Sequence, residues 1–268
     1  MHDIHLDIET VPAQDQAVRA ELAAEHEQTL EAWSQRLRDQ LANVSAPSNW
    51  KDPDKIQAYV EEQRLKLPAK AEAERDQLTA QADERYRKTA LDGARGQICV
   101  ISWAIDDGPI QHVYQDPTGQ AAEADEAGML RAFFEQLPDF RTAPRWVGHN
   151  ILGFDLRFIF QRCVITGVRP TVGLQQSAPP HSAHVFDTML EWAGYRGRVS
   201  ESALCKALGI ADKGSELAGT DAEGIDGSQV WDYVAAGRLA DVVTYCDGDV
   251  DRSRRIFKAL TFAGVSHG

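Results

Sequence analysis

The segment His5-Leu6-Asp7-Ile8-Glu9-Thr10 decides how the rest of the chain is interpreted. Its apolar and polar residues alternate, which is typical of a β-strand with one face in a core. Because residues two apart in a strand share a face, Asp7 and Glu9 are expected side by side. Two neighbouring carboxylates repel each other unless a cation or a proton lies between them. Since magnesium prefers carboxylate oxygens, the pair predicts a divalent-cation site, with two solvated acids at an exposed strand end as the alternative.

Length and composition indicate an ordinary globular protein. The chain has 268 residues, of which 43% are hydrophobic, enough for a core in one large or two small domains. It contains no run of about 18 apolar residues, so no transmembrane helix is expected. The first residues are too acidic for a signal peptide, and a cytoplasmic location is therefore expected. The cysteines lack C-x-x-C spacing, which predicts reduced, buried thiols and disfavours a zinc site: Cys99, Cys163, Cys205 and Cys246.

The charge of the chain limits the kind of nucleic-acid contact it could make. Its formal net charge is −13, whereas proteins that bind nucleic acid normally carry a basic surface. The acids of a metal site would account for part of the excess, because bound cations neutralise them. The charge therefore disfavours tight, non-specific binding of duplexes but is compatible with an enzyme that holds a few nucleotides.

Residues 13–95 form a long, glycine-poor segment after the first strand. Its apolar residues recur at spacings of three and four, which indicates an amphipathic helix: Leu30, Trp33, Leu37, Leu41 and Val44. Asp52-Pro53-Asp54 predicts a second helix start, Pro68 predicts a kink or a break, and another helix is expected from about Ala69. We interpret the segment as a helical insertion within a single domain spanning residues 1–268. Its charges indicate a solvated face, with a lid or substrate-handling arm as the functional alternative.

The remaining chain predicts the fold class. Strands are predicted over 96–105, 110–114 and 145–148, and helices over 121–137, 152–166, 201–208, 227–236 and 239–262. Val185 to Thr188 is interpreted as the start of a further helix. Early strands and late helices indicate an α/β protein, with a mixed sheet flanked by helices and a helical insertion after the first strand.

A second group of polar residues follows the strand predicted over 145–148. Asn150 lies at the end of that strand, and Asp155 lies in the first turn of the next helix. Active sites of α/β folds gather at such strand-to-helix junctions. The alternative is that Asp155 only stabilises the positive end of the helix.

A third group lies on the last predicted helix. Tyr245 and Asp249 are four residues apart and therefore share a helix face. The alternative is a buried tyrosine whose hydroxyl is satisfied by a nearby acid. Asp247 and Asp251 fall on other faces, and we interpret them as solvated charges.

Together, these groups resemble the three motifs of the DEDD exonuclease superfamily, which is DnaQ-like, in its tyrosine branch (DEDDy). The segments HLDIET, GHNILGFD and YCDGDV look most like the proofreading exonuclease domain of family-B DNA polymerases. They are also similar to stand-alone proteins predicted to be 3′–5′ exonucleases of that type. The resemblance covers residues 1–12 and about 96–262. Each motif alone is weak, but three in order, with the tyrosine, are specific.

The resemblance implies a ribonuclease-H-like fold and a 3′–5′ exonuclease that uses two divalent cations, Mg²⁺ or Mn²⁺. Asp7 would bridge both ions, Glu9 and Asp249 would complete the ion site that activates water, and Asp155 would help hold the second ion. Tyr245 would orient the water, because a phenol with an ordinary pKa near 10 is a poor base at neutral pH.

The resemblance also implies how the substrate is held. The backbone around Thr10 would meet the terminal 3′-hydroxyl. Asn150 and Phe154 would line the path of the last nucleotides, with Phe154 placed for stacking. The expected partner is a nucleic acid with a free 3′ end, preferentially single-stranded DNA. Any proofreading would need a separate polymerase or another replication or repair partner, since no polymerase domain fits this length.

Three other functions stay open from the sequence. A 3′–5′ exoribonuclease would use the same metal chemistry and differ only in contacts to the 2′-hydroxyl. A non-catalytic accessory protein could bind strand ends or a polymerase, although the complete set of acids disfavours it. A metal site elsewhere is suggested by the spacing of His181, His184 and Asp187.

Overall fold

The computed structural model describes residues 1–118, 125–179, 182–211, 217 and 225–263. It divides into two compact units. The sheet unit comprises Met1–Gln14 and Thr89–Gly268, and the helical unit comprises Asp15–Lys88. A single domain with an insertion over 13–95 stays a prediction.

The helical unit consists of two long helices, α1 (Gln16–Ala42) and α2 (Pro53–Lys88). Asp15 caps α1, because its carboxylate accepts hydrogen bonds from the backbone N–H groups of Ala17 and Val18. The break expected at Pro68 is absent, since α2 continues through it. A proline lacks one backbone N–H and crowds the carbonyl four residues earlier, a local cost that this 36-residue helix tolerates. Exposed ion pairs join the two helices: Arg36 with Glu74 and Arg85 with Glu25.

The sheet unit contains the mixed α/β sheet that the sequence predicts. Its strands are β1 (Asp3–Val11), β2 (Gln97–Ile105), β3 (Gln111–Tyr114), β4 (Arg145–Gly148) and β5 (Val185–Asp187). They lie in the order β3-β2-β1-β4-β5. The β1–β2 and β2–β3 pairs are antiparallel, whereas β1–β4 and β4–β5 are parallel. The first strand is therefore the centre of the sheet.

Helices flank this sheet: α3 (Glu126–Gln136), α4 (Asp155–Thr166), α5 (Thr188–Ala193), α6 (Glu201–Leu208), α7 (Val230–Ala235) and α8 (Leu239–Leu260). The helix predicted over 121–137 is described only from Asp125, its N-cap, because residues 121–124 lie outside the described part of the chain. The helix start predicted at Val185 is wrong. Val185–Asp187 instead pairs with β4, and three residues are too few to show a strand's alternation.

The alternation predicted for β1 separates two apolar clusters. Ile4, Leu6 and Ile8 are buried in a cluster with residues of α3 and α4. The other cluster contains residues of β2, α7 and α8. His5 packs edge-on against Phe257 of α8, with ring centroids 5.4 Å apart. The polar face of β1 therefore lies against α8.

No described helix combines the length and apolar character needed to cross a bilayer.

Burial of His5 should make stability pH-dependent. The side chain is 2% exposed, and burial, opposed by nearby Asp3, lowers its pKa from 6.5 to about 4. Because the unfolded chain binds the proton more tightly, the stabilising effect is present above pH 6.5 and is lost as the pH falls through 4. Between pH 7 and pH 4 the loss is about 3 kcal/mol, at about 1.4 kcal/mol per pKa unit.

Denaturant unfolding of His5→Phe and wild-type protein across this range measures the effect. The phenyl ring keeps an aromatic contact with Phe257, so the pH dependence of the variant should be shallower by that amount. Parallel curves for the two proteins would contradict the assignment.

Candidate active site

Two predicted acids and a cysteine meet where β1 faces α8. Asp7 is half-buried and Glu9 is 8% exposed. The Cys246 thiol lies 3.5 Å from Asp7 Oδ2. One ligand atom from each of the three side chains lies within 4.8 Å of the others, which is close enough for a shared ion. In the described part of the chain, this group is the candidate metal cluster.

The chemistry of this cluster fits a hard cation. Burial, followed by the negative charges of Asp7 and Glu9, raises the pKa of the Cys246 thiol well above its usual range. A protonated thiol is a poor ligand, because metals bind the thiolate. The carboxylates of Asp7 and Glu9 are thus the ligands on offer, and carboxylate oxygens suit Mg²⁺ or Mn²⁺.

Asp155 is joined to β1 from the first turn of α4. The backbone N–H of Ile8 donates a hydrogen bond to Asp155 Oδ1 at 3.2 Å, and the carboxyl is 4% exposed. Burial is the main reason why the pKa of Asp155 rises to about 7, and the nearby charges of Asp187 and Asp249 raise it further. Negative charge accumulates here, which is what a bound cation would relieve.

Asp249 of α8 belongs to a buried charge network. It is 3% exposed and accepts hydrogen bonds from the guanidinium of Arg252, one turn further along the helix, with Nε at 3.1 Å. Arg252 Nε also lies 3.6 Å from Glu201 Oε2. One carboxylate oxygen of Asp249 is therefore bonded to a buried guanidinium group.

Three of the predicted acids lie on β1 or are hydrogen-bonded to it, and the fourth, Asp249, lies close enough for its charge to affect Asp155. Asp7 and Glu9 are together, Asp155 is bonded to the residue between them, and Asp249 acts on the charge of Asp155. Asp155 and Asp249 do not join the 4.8 Å group. The arrangement can hold cations at its centre, with Asp155 and Asp249 at its edge.

Tyr245 lies inside the molecule rather than at its surface. Its side chain is 1% exposed and packs in the apolar cluster with Val11, Val100 and Val242. It precedes Cys246 on α8, so the helix that brings the thiol to Asp7 also carries the tyrosine.

The residues predicted to bind substrate have different surroundings. The Thr10 hydroxyl donates to the Ala90 carbonyl at 2.8 Å, so this side chain is bonded to the segment that precedes β2. Asn150 has a left-handed backbone with φ 58°. A Cβ at Gly153 would lie 2.3 Å from Asn150 Oδ1, so a larger residue there would displace the Asn150 amide. Phe154 is half-buried beside Phe158, with ring centroids 5.3 Å apart.

Asp187 has a structural role that sequence reasoning missed. Its carboxylate accepts hydrogen bonds from the backbone N–H groups of Asn150 at 3.0 Å and Leu152 at 3.2 Å. It also caps α5 through Met189 and Leu190. The two oxygens thus fix the loop that leads to Asp155. A signal was present, since an aspartate followed by a helical pattern is a helix cap.

Two other interpretations of acids change. Asp247 is not a solvated charge, because it accepts a hydrogen bond from the Ser102 hydroxyl at 2.7 Å and lies 3.0 Å from His112 Nδ1. In the alternative metal site, the Asp187 oxygens are used by backbone amides, while His181 lies outside the described residues.

Comparisons with known proteins identify one family model and one solved structure similar to this chain. The model of a family described as predicted 3′–5′ exonucleases related to the exonuclease domain of PolB matches residues 95–257, more than half of the chain. The match begins after β1, so Asp7 and Glu9 lie outside it. A family-B DNA polymerase from the hyperthermophilic archaeon Pyrobaculum calidifontis is structurally similar, with TM-score 0.47 and 17% identity over 64% of this chain. The similarity spans 22% of the polymerase's length. No curated protein matches the chain.

Proposed function

We propose that this chain removes nucleotides from the 3′ end of single-stranded DNA with the help of two divalent cations, since it belongs to the family of predicted 3′–5′ exonucleases related to the exonuclease domain of PolB. The observation that carries the proposal is the convergence of acids from β1, α4 and α8. Asp7 and Glu9 lie within one ligand group, and Asp155 is bonded to Ile8 between them. The family match supports the reaction class, and this convergence supports the proposed choice of residues.

The proposed roles of the acids follow from their surroundings. Asp7 and Glu9 present oxygens from the polar face of β1 and would hold Mg²⁺ or Mn²⁺ together with Asp155 and Asp249. Bound cations would supply an activated water and stabilise the charge that develops on the phosphate. Arg252 would orient the Asp249 carboxylate, and the Ile8 N–H would hold the Asp155 carboxylate towards β1. Asn150 and Phe154 would contact the last nucleotides, and the backbone around Thr10 the terminal 3′-hydroxyl.

Tyr245 would orient the attacking water through its hydroxyl without taking the proton, because an ordinary phenol is a weak base at neutral pH. Tyr245→Phe is therefore expected to retain the fold and to lose only part of the rate, roughly 10- to 100-fold, the range found when a supporting hydrogen bond near a metal is lost. Single-turnover rates with saturating Mg²⁺ measure this effect.

Tyr233→Phe is the matched control, since Tyr233 lies beside the same apolar cluster on α7. An unchanged rate in Tyr245→Phe, or an equal loss in the control, would remove Tyr245 from the site.

The direct test of the proposed function is degradation of end-labelled strands. With a 5′-labelled DNA strand and Mg²⁺, the product should shorten one nucleotide at a time, whereas a 3′-labelled strand should release labelled mononucleotide at once. Chelator should stop the reaction, and Mg²⁺ or Mn²⁺ should restore it. Faster loss of an RNA strand of the same sequence would make the protein an exoribonuclease. Binding without product, at any metal concentration, would make it a non-catalytic end-binding protein.

A further inference from the structure

The last turn of α5 and the segment between α5 and α6 display aromatic and basic side chains that the roles proposed above do not use. Trp192 is 49% exposed and Tyr195 is 73% exposed, which is unusual for large rings. Arg196 and Arg198 are exposed as well. From Trp192 to Ser200 the sequence has these two arginines and no acid, within a chain whose net charge is −13. We call these four side chains the α5–α6 surface.

The backbone holds this surface in one shape. The N–H of Gly197 donates to the Gly194 carbonyl at 3.0 Å, which closes a turn with Tyr195 and Arg196 at its tip. A Cβ at Gly197 would lie 2.1 Å from the Ala193 carbonyl oxygen, so glycine is required there. Gly194 itself has φ 75°. The turn therefore presents the two side chains outward as a fixed feature.

Within the turn, the ring and the charge are adjacent. The Arg196 guanidinium carbon lies 5.3 Å from the centre of the Tyr195 ring. Neither Arg196 nor Arg198 has a carboxylate partner within 4 Å among the described residues. A largely exposed ring that contacts a guanidinium group without a carboxylate partner is a combination that binds single-stranded nucleic acid, because bases stack on rings and phosphates contact the charges.

The segment that carries this surface is fastened to the loop of the candidate active site. His149 Nε2 donates to the Val199 carbonyl at 3.0 Å, and the Thr188 hydroxyl is hydrogen-bonded to His149 Nδ1 at 3.0 Å. The next residue, Asn150, is bonded to Asp187. Both ends of the segment from Thr188 to Val199 are thus bonded to the residue before Asn150.

We propose that the α5–α6 surface binds the single-stranded part of the nucleic acid beyond the nucleotide being removed. This inference rests on the proposed function for the identity of the strand. Tyr195 and Trp192 stack on bases, and Arg196 and Arg198 contact phosphates. Because stacking and phosphate contacts do not read base edges, binding here is independent of sequence and sensitive to salt.

Fluorescence anisotropy with a 5′-labelled single-stranded DNA in EDTA tests this surface without cleavage. Tyr195→Ala is expected to weaken binding about 5-fold or more, the effect of losing one base–aromatic stack. Arg196→Ala/Arg198→Ala should lower the slope of log affinity against log salt by about 1.4, since each phosphate contact to a single strand contributes about 0.7. Arg141→Ala/Arg169→Ala changes the net charge equally at exposed positions elsewhere and should leave that slope unchanged.

A second measurement separates this surface from the reaction centre. Hydrolysis of the p-nitrophenyl ester of thymidine monophosphate, which is only one nucleotide long, should keep its kcat/KM in Tyr195→Ala and in the arginine pair. The KM for a long strand should rise in both. A salt slope equal to wild type in the arginine pair, together with an unchanged KM for the long strand in both variants, would contradict the proposed role of the α5–α6 surface. Tyr195-dependent binding by a protein that degrades no strand would contradict the proposed function and leave the surface in place.

Discussion

Asp7→Asn is expected to lose exonuclease activity by at least about 100-fold while the protein stays folded. The loss should exceed the 10- to 100-fold typical of residues that only support a metal ligand, because Asp7 is itself one of the proposed ligands in the group with Glu9. In the metal-free protein the change removes repulsion between Asp7 and Glu9. The thermal midpoint of Asp7→Asn without metal should therefore be no lower than that of wild type. Initial rates on 5′-labelled DNA and a thermal melt in EDTA measure both effects.

Asp251→Asn is the matched control for a lost carboxylate. It lies on α8, pairs with Arg254 and Arg255, and is not one of the side chains in the group of Asp7, Glu9 and Cys246. Its rate should stay within a factor of about two of wild type, as exposed ion pairs contribute little. An Asp7→Asn protein with the wild-type rate would end the assignment of the site.

Asp187→Ala is expected to have the largest effect on stability and to lower activity as well. The carboxylate accepts four backbone N–H groups, two from the loop that precedes Asp155 and two from α5. Hydrogen bonds to a charged group contribute about 1.5–3 kcal/mol each, and loss of a helix cap costs about 1 kcal/mol. Because water would replace part of this set, we expect a loss of about 3 kcal/mol in denaturant unfolding.

The activity of Asp187→Ala shows whether Asp187 positions the loop of Asn150 and Asp155 or only stabilises the fold. Because the loop holds Asn150 and leads to Asp155, the rate should fall roughly 10- to 100-fold at a temperature where the variant is fully folded. Asp187→Asn keeps one acceptor and should recover part of both losses. Ser200→Ala removes a cap that contacts only its own helix, α6, and should cost about 1 kcal/mol with no loss of rate. Equal rates in Asp187→Ala and Ser200→Ala would make Asp187 a structural cap only.

The central strand could be predicted from the sequence because its alternation is local. Ile4, Leu6 and Ile8 fall in one cluster, and the polar residues between them face α8. The mixed sheet followed from the same kind of pattern. The strand β5 was missed because its three residues, Val185–Asp187, are too few to show a repeated alternation, and its partner β4 is almost forty residues earlier.

The parts of the site that escaped prediction depend on tertiary contacts. Nothing local in Asp187 shows that its carboxylate reaches the Asn150 loop, since that requires β4 and β5 to be neighbours. Cys246 was interpreted as a buried thiol, and only the packing of α8 on β1 places it beside Asp7. Asp247 looked solvated because helical periodicity cannot reveal Ser102 across the interface.

The most direct measurement of the central claim is a titration of the metal-free protein with Mn²⁺, followed by electron paramagnetic resonance of the free ion. Two ions should bind to wild type, and fewer to Asp7→Asn and Asp155→Asn, while Asp251→Asn should bind two. Binding of both ions by all four proteins with equal affinity, or of none by wild type, would contradict the claim that these acids hold the cations.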